Sequence, residues 1–244
     1  MSKKDEINSH IFIPKSILNR FAKIDEKNRK IIKYIDCNDM KMKSSTTSRF
    51  NTQLGYYSKQ NEKILCKESE SKIGNVIKKI QDIDDNTVLN EKDIEYIFRY
   101  LSYQILRTEG FSKELNKRFG TNLNIKFIKN ELIKEEVELN TIYNVIKNED
   151  MYVIINTSNV KFVLPTNSMY TFNPNSNEYT WILILSPVIA VSFMPQGTIK
   201  KLSNDKDCSK VKIIEFGEEQ EEIINSFNLR AIGHNVKIPR KLNV

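Results

Sequence analysis

Histidine is almost missing from this sequence: its two copies, His10 and His234, are too few for a histidine-rich metal site. Cysteine is sparse as well. Cys37, Cys66 and Cys208 are odd in number and far apart, and no Cys-x-x-Cys pair occurs, so zinc-finger and thioredoxin-like readings lack support. Reduced, partly buried thiols are the expected state. With seven glycines in 244 residues, there is no Gly-rich phosphate loop and no dinucleotide-binding fingerprint. A His-Glu-x-x-His helix and a Gly-x-Ser-x-Gly elbow are missing too. No apolar run approaches the roughly 20 residues of a membrane span. The opening Met1-Ser2-Lys3-Lys4-Asp5-Glu6 carries charge with no apolar core behind it. A cytoplasmic protein with no membrane partner is therefore expected.

What is present describes a globular chain. Hydrophobic residues make up 39% and charged residues 28%, enough to bury a substantial core. The length suits one large domain or two small ones. A single domain over 1–244 is the reading adopted, helix-rich over 1–150 and sheet-rich over 151–244. The net charge is +7 and unevenly spread, for residues 1–50 hold twelve Lys or Arg against six Asp or Glu. A basic face of this kind attracts polyanions, nucleic acid among them, although a merely solvated basic surface has the same composition.

Near the start, Ile11, Phe12 and Ile13 form a short extended apolar run before Pro14, which suits a first helical turn. Ile17, Leu18 and Phe21 then share one helical face. His10 sits just before this turn, either satisfied by a backbone carbonyl or serving as a ligand or proton carrier. Asp25 to Lys30 reads as a turn and Ile31 to Asp36 as a strand. The polar stretch 37–53 reads as a surface loop. A helix is expected over 61–80, with Cys66, Glu70, Ile73, Ile77 and Ile80 on one face. Glu70 on that stripe needs a partner, because an unpaired buried charge is costly. Glu62 lies near the helix start, where an acid suits the dipole. After turn-rich 82–90, Asn90 and Asp93 outline a capping box, and a strong helical stripe runs through residue 107 with Gln104 inward and Arg107 at its end. Residues 111–149 continue helical. From 151 the character changes, with strands expected at 152–156, 161–164, 179–185, 188–193 and 211–216, followed by a helix over 218–230. Gly233 is expected to end that helix and Val236 to lead into a last short strand. Because no crossover-length helices separate the strands, the expected fold is α+β: a helical N-terminal part with a C-terminal, mainly antiparallel sheet.

Several of these segments also resemble one family. His10-Ile11-Phe12-Ile13-Pro14 with Leu18 and Phe21, then Gln104-Ile105-Leu106-Arg107-Thr108, Leu185-Ser186-Pro187, and a terminal helix bearing Asn225 and Asn228 before Ala231 are similar to the family called domain of unknown function 4238. That pattern has two glutamates in its acidic helix: Glu62 matches the first, and Glu68 or Glu70 the second, with helical phase favouring Glu70. The chain departs where relatives carry Asp-Asn-Pro and it has Thr166-Asn167-Ser168. Milder departures are Ile11 in place of an aromatic and Lys15 in place of glutamine. The resemblance implies no established activity.

A site could assemble from His10, Glu70, Gln104, Arg107 and Asn225. Histidine transfers protons and arginine stabilises phosphoryl charge, which suits phosphodiester cleavage without an obligatory metal, though other hydrolytic reactions use the same groups. No cofactor and no metal ligand set is assigned. Two functions stay open. One is a nucleic-acid-acting effector, RNase-like and related to toxin or antiviral defence systems. The other is a non-catalytic module binding a protein partner, in which the polar set is structural. The phase of the two helices predicts that Glu70 and Arg107 form an ion pair, with His10 or Gln104 beside it.

Overall fold

The structure, a computed structural model, describes residues 7–36, 38–82, 89–120, 123–135, 137–175, 178–197 and 211–232. The expected end of the last helix at Gly233 and the final strand near Val236 lie outside the described residues. The architecture is α+β. Short strands and helices fill the N-terminal part, and a five-stranded sheet follows.

Strand β1 (Asn8–His10) pairs antiparallel with β5 (Thr52–Leu54), and helix α1 (Lys15–Phe21) follows β1 directly. Strands β2 (Lys23–Ile24), β3 (Lys30–Asp36) and β4 (Lys41–Thr46) form an antiparallel meander. Its turns place Asn28 and Met40 at left-handed φ of 57° and 53°. Residues 37–53, expected as a loop, thus contribute β4 and β5. Their polarity misled because β4 covers little core: it borders β3 with one face open to water, so its side chains need not be apolar.

The long helical segment is α2 (Lys59–Ile64), a π-helical stretch (Leu65–Glu70) and α3 (Ser71–Gln81). Ser58 caps α2, accepting from the backbone N–H of Asn61 at 3.1 Å. The buried phase runs through Asn61, Leu65, Ser69, Ile73, Val76, Ile77 and Ile80, whereas Cys66 is exposed. Placing Cys66 on the stripe assumed unbroken α-geometry; the π turn, with its i→i+5 bonding, resets the register. Helix α4 (Glu91–Arg107) starts at a complete Asn90/Asp93 capping box. Helices α5 (Glu109–Phe119), α6 (Ile125–Glu135) and α7 (Val137–Ile146) complete the helical part.

The main sheet holds β6 (Asp150–Asn156), β7 (Met169–Asn175), β8 (Glu178–Ser186), β9 (Ile189–Met194) and β10 (Val211–Phe216) in the order β10-β6-β9-β8-β7. Three of its ladders are antiparallel, and β10 joins β6 in parallel. Side-chain alternation splits the core between its faces. Met151, Val153, Leu183, Leu185, Val191 and Phe193 meet α1, α3 and α4, with Phe98 and Phe193 rings 5.4 Å apart. On the other face Ile154, Ile182, Ile184 and Ala190 meet Ile224 of α8 (Glu221–Ile232).

Strand β7 was not expected, and 161–164, expected as a strand, is irregular. The reason is where its backbone groups bond. Phe162 N–H donates to the Pro187 carbonyl at 3.0 Å. Val163 N–H donates to Asn228 Oδ1 at 2.7 Å, while Asn228 Nδ2 donates to the Lys161 carbonyl at 2.8 Å. One side chain on α8 therefore does the work of a strand partner. Asn228→Ala is expected to speed hydrogen exchange at the Val163 amide while the amides of β8 and β9 stay protected; unchanged exchange there would show that the asparagine does not hold this segment.

Candidate functional site

Tyr100, Gln104 and Arg107 are spaced i, i+4 and i+7 on α4 and so share one face. All three are buried, and Arg107 is 2% exposed. Such a guanidinium needs an anion. Arg107 Nη2 donates to Glu70 Oε1 at 2.9 Å, as the helical phase predicted. Burial opposes the charge on Arg107, but the Glu70 carboxylate and the Tyr57 and Tyr100 oxygens more than offset it. The Tyr57 ring lies 5.8 Å from the guanidinium carbon, within cation–π range. Glu68, the other candidate second glutamate, turns outward and pairs with Lys72.

The π stretch explains a second carboxylate in the same place. An α turn takes about 3.6 residues and an i→i+5 turn close to one more, so the eight steps from Glu62 to Glu70 make about two full turns. Glu62 accordingly also lies within electrostatic reach of Arg107 and of Glu70. Burial pushes its carboxyl above the ordinary range, against the pull of the Ser9 hydroxyl and Arg107. Its Oε1 is buried without a hydrogen-bond partner. Arg107 Nε and Asn167 Oδ1 are among the other buried polar atoms without a hydrogen-bond partner.

His10 is half-buried and within electrostatic reach of Glu70 and Arg107. Strand β1 positions it, and its Nδ1 lies 3.2 Å from the Phe50 carbonyl. A carbonyl only accepts, so Nδ1 carries the proton and Nε2 is the acceptor of the neutral ring. Partial burial lowers the His10 pKa below its usual 6.5; Glu70 and the Phe50 carbonyl raise it, and Arg107 and Lys15 lower it.

Gln104 is committed elsewhere. Its Nε2 donates to the Phe12 carbonyl at 2.5 Å and to the Asn167 carbonyl at 2.9 Å. It ties the N-terminal segment to the turn before β7. Asn225 is not brought to this cluster. It is exposed on α8, across the main sheet from α4, because its neighbour Ile224 packs on the opposite sheet face. The helical phase of α8 leaves Asn225 outward, and Asn228 is the asparagine engaged with the body of the protein.

Sequence reasoning read Glu62 as a dipole match and as the first of the family's two glutamates, and placed none of Tyr57, Ser9 and Tyr100 in the cluster. No periodicity signals a π turn, and Tyr57 and Ser9 reach the cluster through pairings of short segments. Tyr57 N–H donates to Ser9 Oγ at 3.2 Å, and its hydroxyl donates to the Ile11 carbonyl at 3.3 Å. Lys129 was passed over as well. It is 1% exposed and donates to the Arg107 and Thr108 carbonyls at 3.3 and 3.1 Å, capping the C-terminus of α4. Burial brings its pKa from 10.5 down to about 8. Between those values the unfolded chain holds a proton that the folded one has released, so stability rises with pH. Tyr57 and Tyr100, raised by burial, oppose this trend only above their ordinary value of 10. Lys129→Met is expected to flatten the rise in stability between about pH 8 and 10 in urea melts; an unchanged slope would assign it to other groups.

Among the described residues, no group of three His, Cys, Asp or Glu side chains is placed to hold a metal ion, and no helix is long and apolar enough to cross a membrane. No family model, curated protein or solved structure matches the chain.

Proposed function

We propose that the chain is a nucleic-acid-acting, RNase-like effector that cleaves phosphodiester bonds using His10 as proton acceptor, Glu62 as proton donor and Arg107 as the charge that stabilises the reacting phosphoryl group. The observation that carries this reading is half-buried His10, anchored through Nδ1 and within electrostatic reach of the buried Arg107–Glu70 pair. A neutral imidazole with Nε2 free accepts a proton; a carboxyl group whose pKa burial raises is better suited to supply one. On RNA, the 2′-oxygen attacks the neighbouring phosphorus and its proton passes to His10. The P–O5′ bond breaks, and the departing oxygen takes the proton of Glu62. Arg107 acts from its buried position, its charge within electrostatic reach of His10 and opposing the negative charge that builds on the phosphoryl oxygens.

The resemblance to domain of unknown function 4238 is part of this proposal and adds no activity to it. His10 lies four positions before Pro14, one more than in the family's His-x-x-Pro opening. A second reading, a non-catalytic module with a protein partner, is favoured by Gln104, which is spent on backbone carbonyls. The deciding experiment incubates wild-type protein and His10→Ala with RNA and with DNA, with and without EDTA. Cleavage by wild type that persists in EDTA and is lost in a folded His10→Ala supports the catalytic reading. Equal inactivity of both on all substrates leaves the interaction module.

A further inference from the structure

We infer that the open face of the β2–β3–β4 meander is the binding platform for a single-stranded nucleic acid, which it leads to His10; the inference rests on the catalytic reading above. The face follows from register. Lys23 opposes Ile31, Lys33 opposes Ser44, and Ile35 opposes Met42. Because side chains alternate, residues 31, 33 and 35 of β3 share one side with 42, 44 and 46 of β4. The opposite side carries buried Ile32 and half-buried Tyr34 against the core. On the open side Lys23, Lys33 and Ser44 are exposed, and Ile35 and Met42 are 39% and 70% exposed.

The charge on this face is of one sign. Of the nearby acids, Asp25 is engaged by Arg29, and Asp36 and Asp39 by Lys43, while exposed Glu26 lies in the turn between β2 and β3. Lysines with hydroxyls between them suit phosphate oxygens. An exposed aliphatic pair beside them suits the flat face of an unstacked base, which a duplex does not offer. The platform is also continuous with the site. The link runs through the turn after β4: the Arg49 and Phe50 N–H groups both donate to the carbonyl of Thr46, which ends the open side, at 3.0 Å, and the Phe50 carbonyl is the one that holds His10. Exposed Arg49 stands next to it. An anionic lipid surface would also meet lysines and aliphatics, but it gives no reason for the hydroxyls or for the path to His10.

The test measures binding of a fluorescent oligouridylate, an oligothymidylate and a duplex of equal length, by anisotropy over a range of salt. The proteins are wild type, Lys23→Gln/Lys33→Gln, and a control pair on α5, Lys113→Gln/Lys117→Gln. Wild type is expected to bind both single strands more tightly than the duplex. The meander pair should weaken binding and lower the slope of log K against log salt by about 0.7 per lysine removed, with the control pair close to wild type. Equal losses in both pairs, or tighter binding to the duplex, would overturn the platform. So would failure to bind any oligonucleotide together with binding to phosphatidylserine vesicles that the meander pair abolishes. His10→Ala separates the two claims. Binding lost in the meander pair, with no cleavage by any protein, leaves the platform standing and removes the catalytic reading. Cleavage lost only in His10→Ala, with the meander pair unaffected, does the reverse.

Discussion

Glu70→Ala is expected to destabilise the protein by about 3–5 kcal/mol, because it leaves the Arg107 guanidinium buried and unpaired. The two partners are not equivalent. The Arg107 side chain is 3% exposed and cannot lose its proton, whereas Glu70 is 18% exposed and can turn to water. Arg107→Met should therefore cost less than Glu70→Ala, although both break the same 2.9 Å contact. The double variant Glu70→Leu/Arg107→Met should recover most of the loss, since a buried ion pair replaced by apolar groups of similar volume is close to neutral. Urea melts of the four proteins give the cycle. If Glu70→Ala costs no more than Arg107→Met, the guanidinium is better solvated than its burial implies.

Cleavage by the wild-type protein is expected to follow a two-limbed pH profile, and His10→Ala should slow it by about 10²–10⁴-fold, the usual worth of a positioned general base. The sign comes from the two shifts. His10 acts as base only when neutral, so activity falls as pH drops through its pKa, which burial holds below 6.5. Glu62 acts as acid only when protonated, so activity falls as pH rises through its pKa, which burial holds above 4.5. Glu62→Gln keeps the shape of the side chain without a transferable proton. It should lower the rate and remove the alkaline limb of the profile while leaving the acid limb in place. A wild-type profile whose alkaline limb is unchanged in Glu62→Gln would exclude Glu62 as the donor and leave Arg107 and His10 to account for the chemistry.

Much of the architecture was legible because it rests on local patterns. Apolar periodicity placed α1 and α4. Asn90 and Asp93 announced the start of α4, because a capping box needs only two residues three apart. The apolar runs around 152–156, 179–185 and 188–193 announced the strands buried on both faces. Strand β4 and the irregular 161–164 were misread for one shared reason: a strand is made by what its backbone bonds to. Polar β4 finds β3, while apolar Phe162 and Val163 find Pro187 and the side chain of Asn228.

By itself, the sequence determined the α+β class, the inward phase of Gln104 and the meeting of Glu70 with Arg107. These follow from helical spacing and from the need of a buried charge for a partner. Only the tertiary structure decided the rest. A π turn, invisible to periodicity, brings Glu62 to the same arginine. Strand pairing of β1 with β5 sets His10 against the Phe50 carbonyl. The two faces of one sheet put Asn225 beyond reach of the cluster it was expected to join. Each of these depends on contacts between residues distant in the chain, and such contacts leave no trace in the spacing of neighbours.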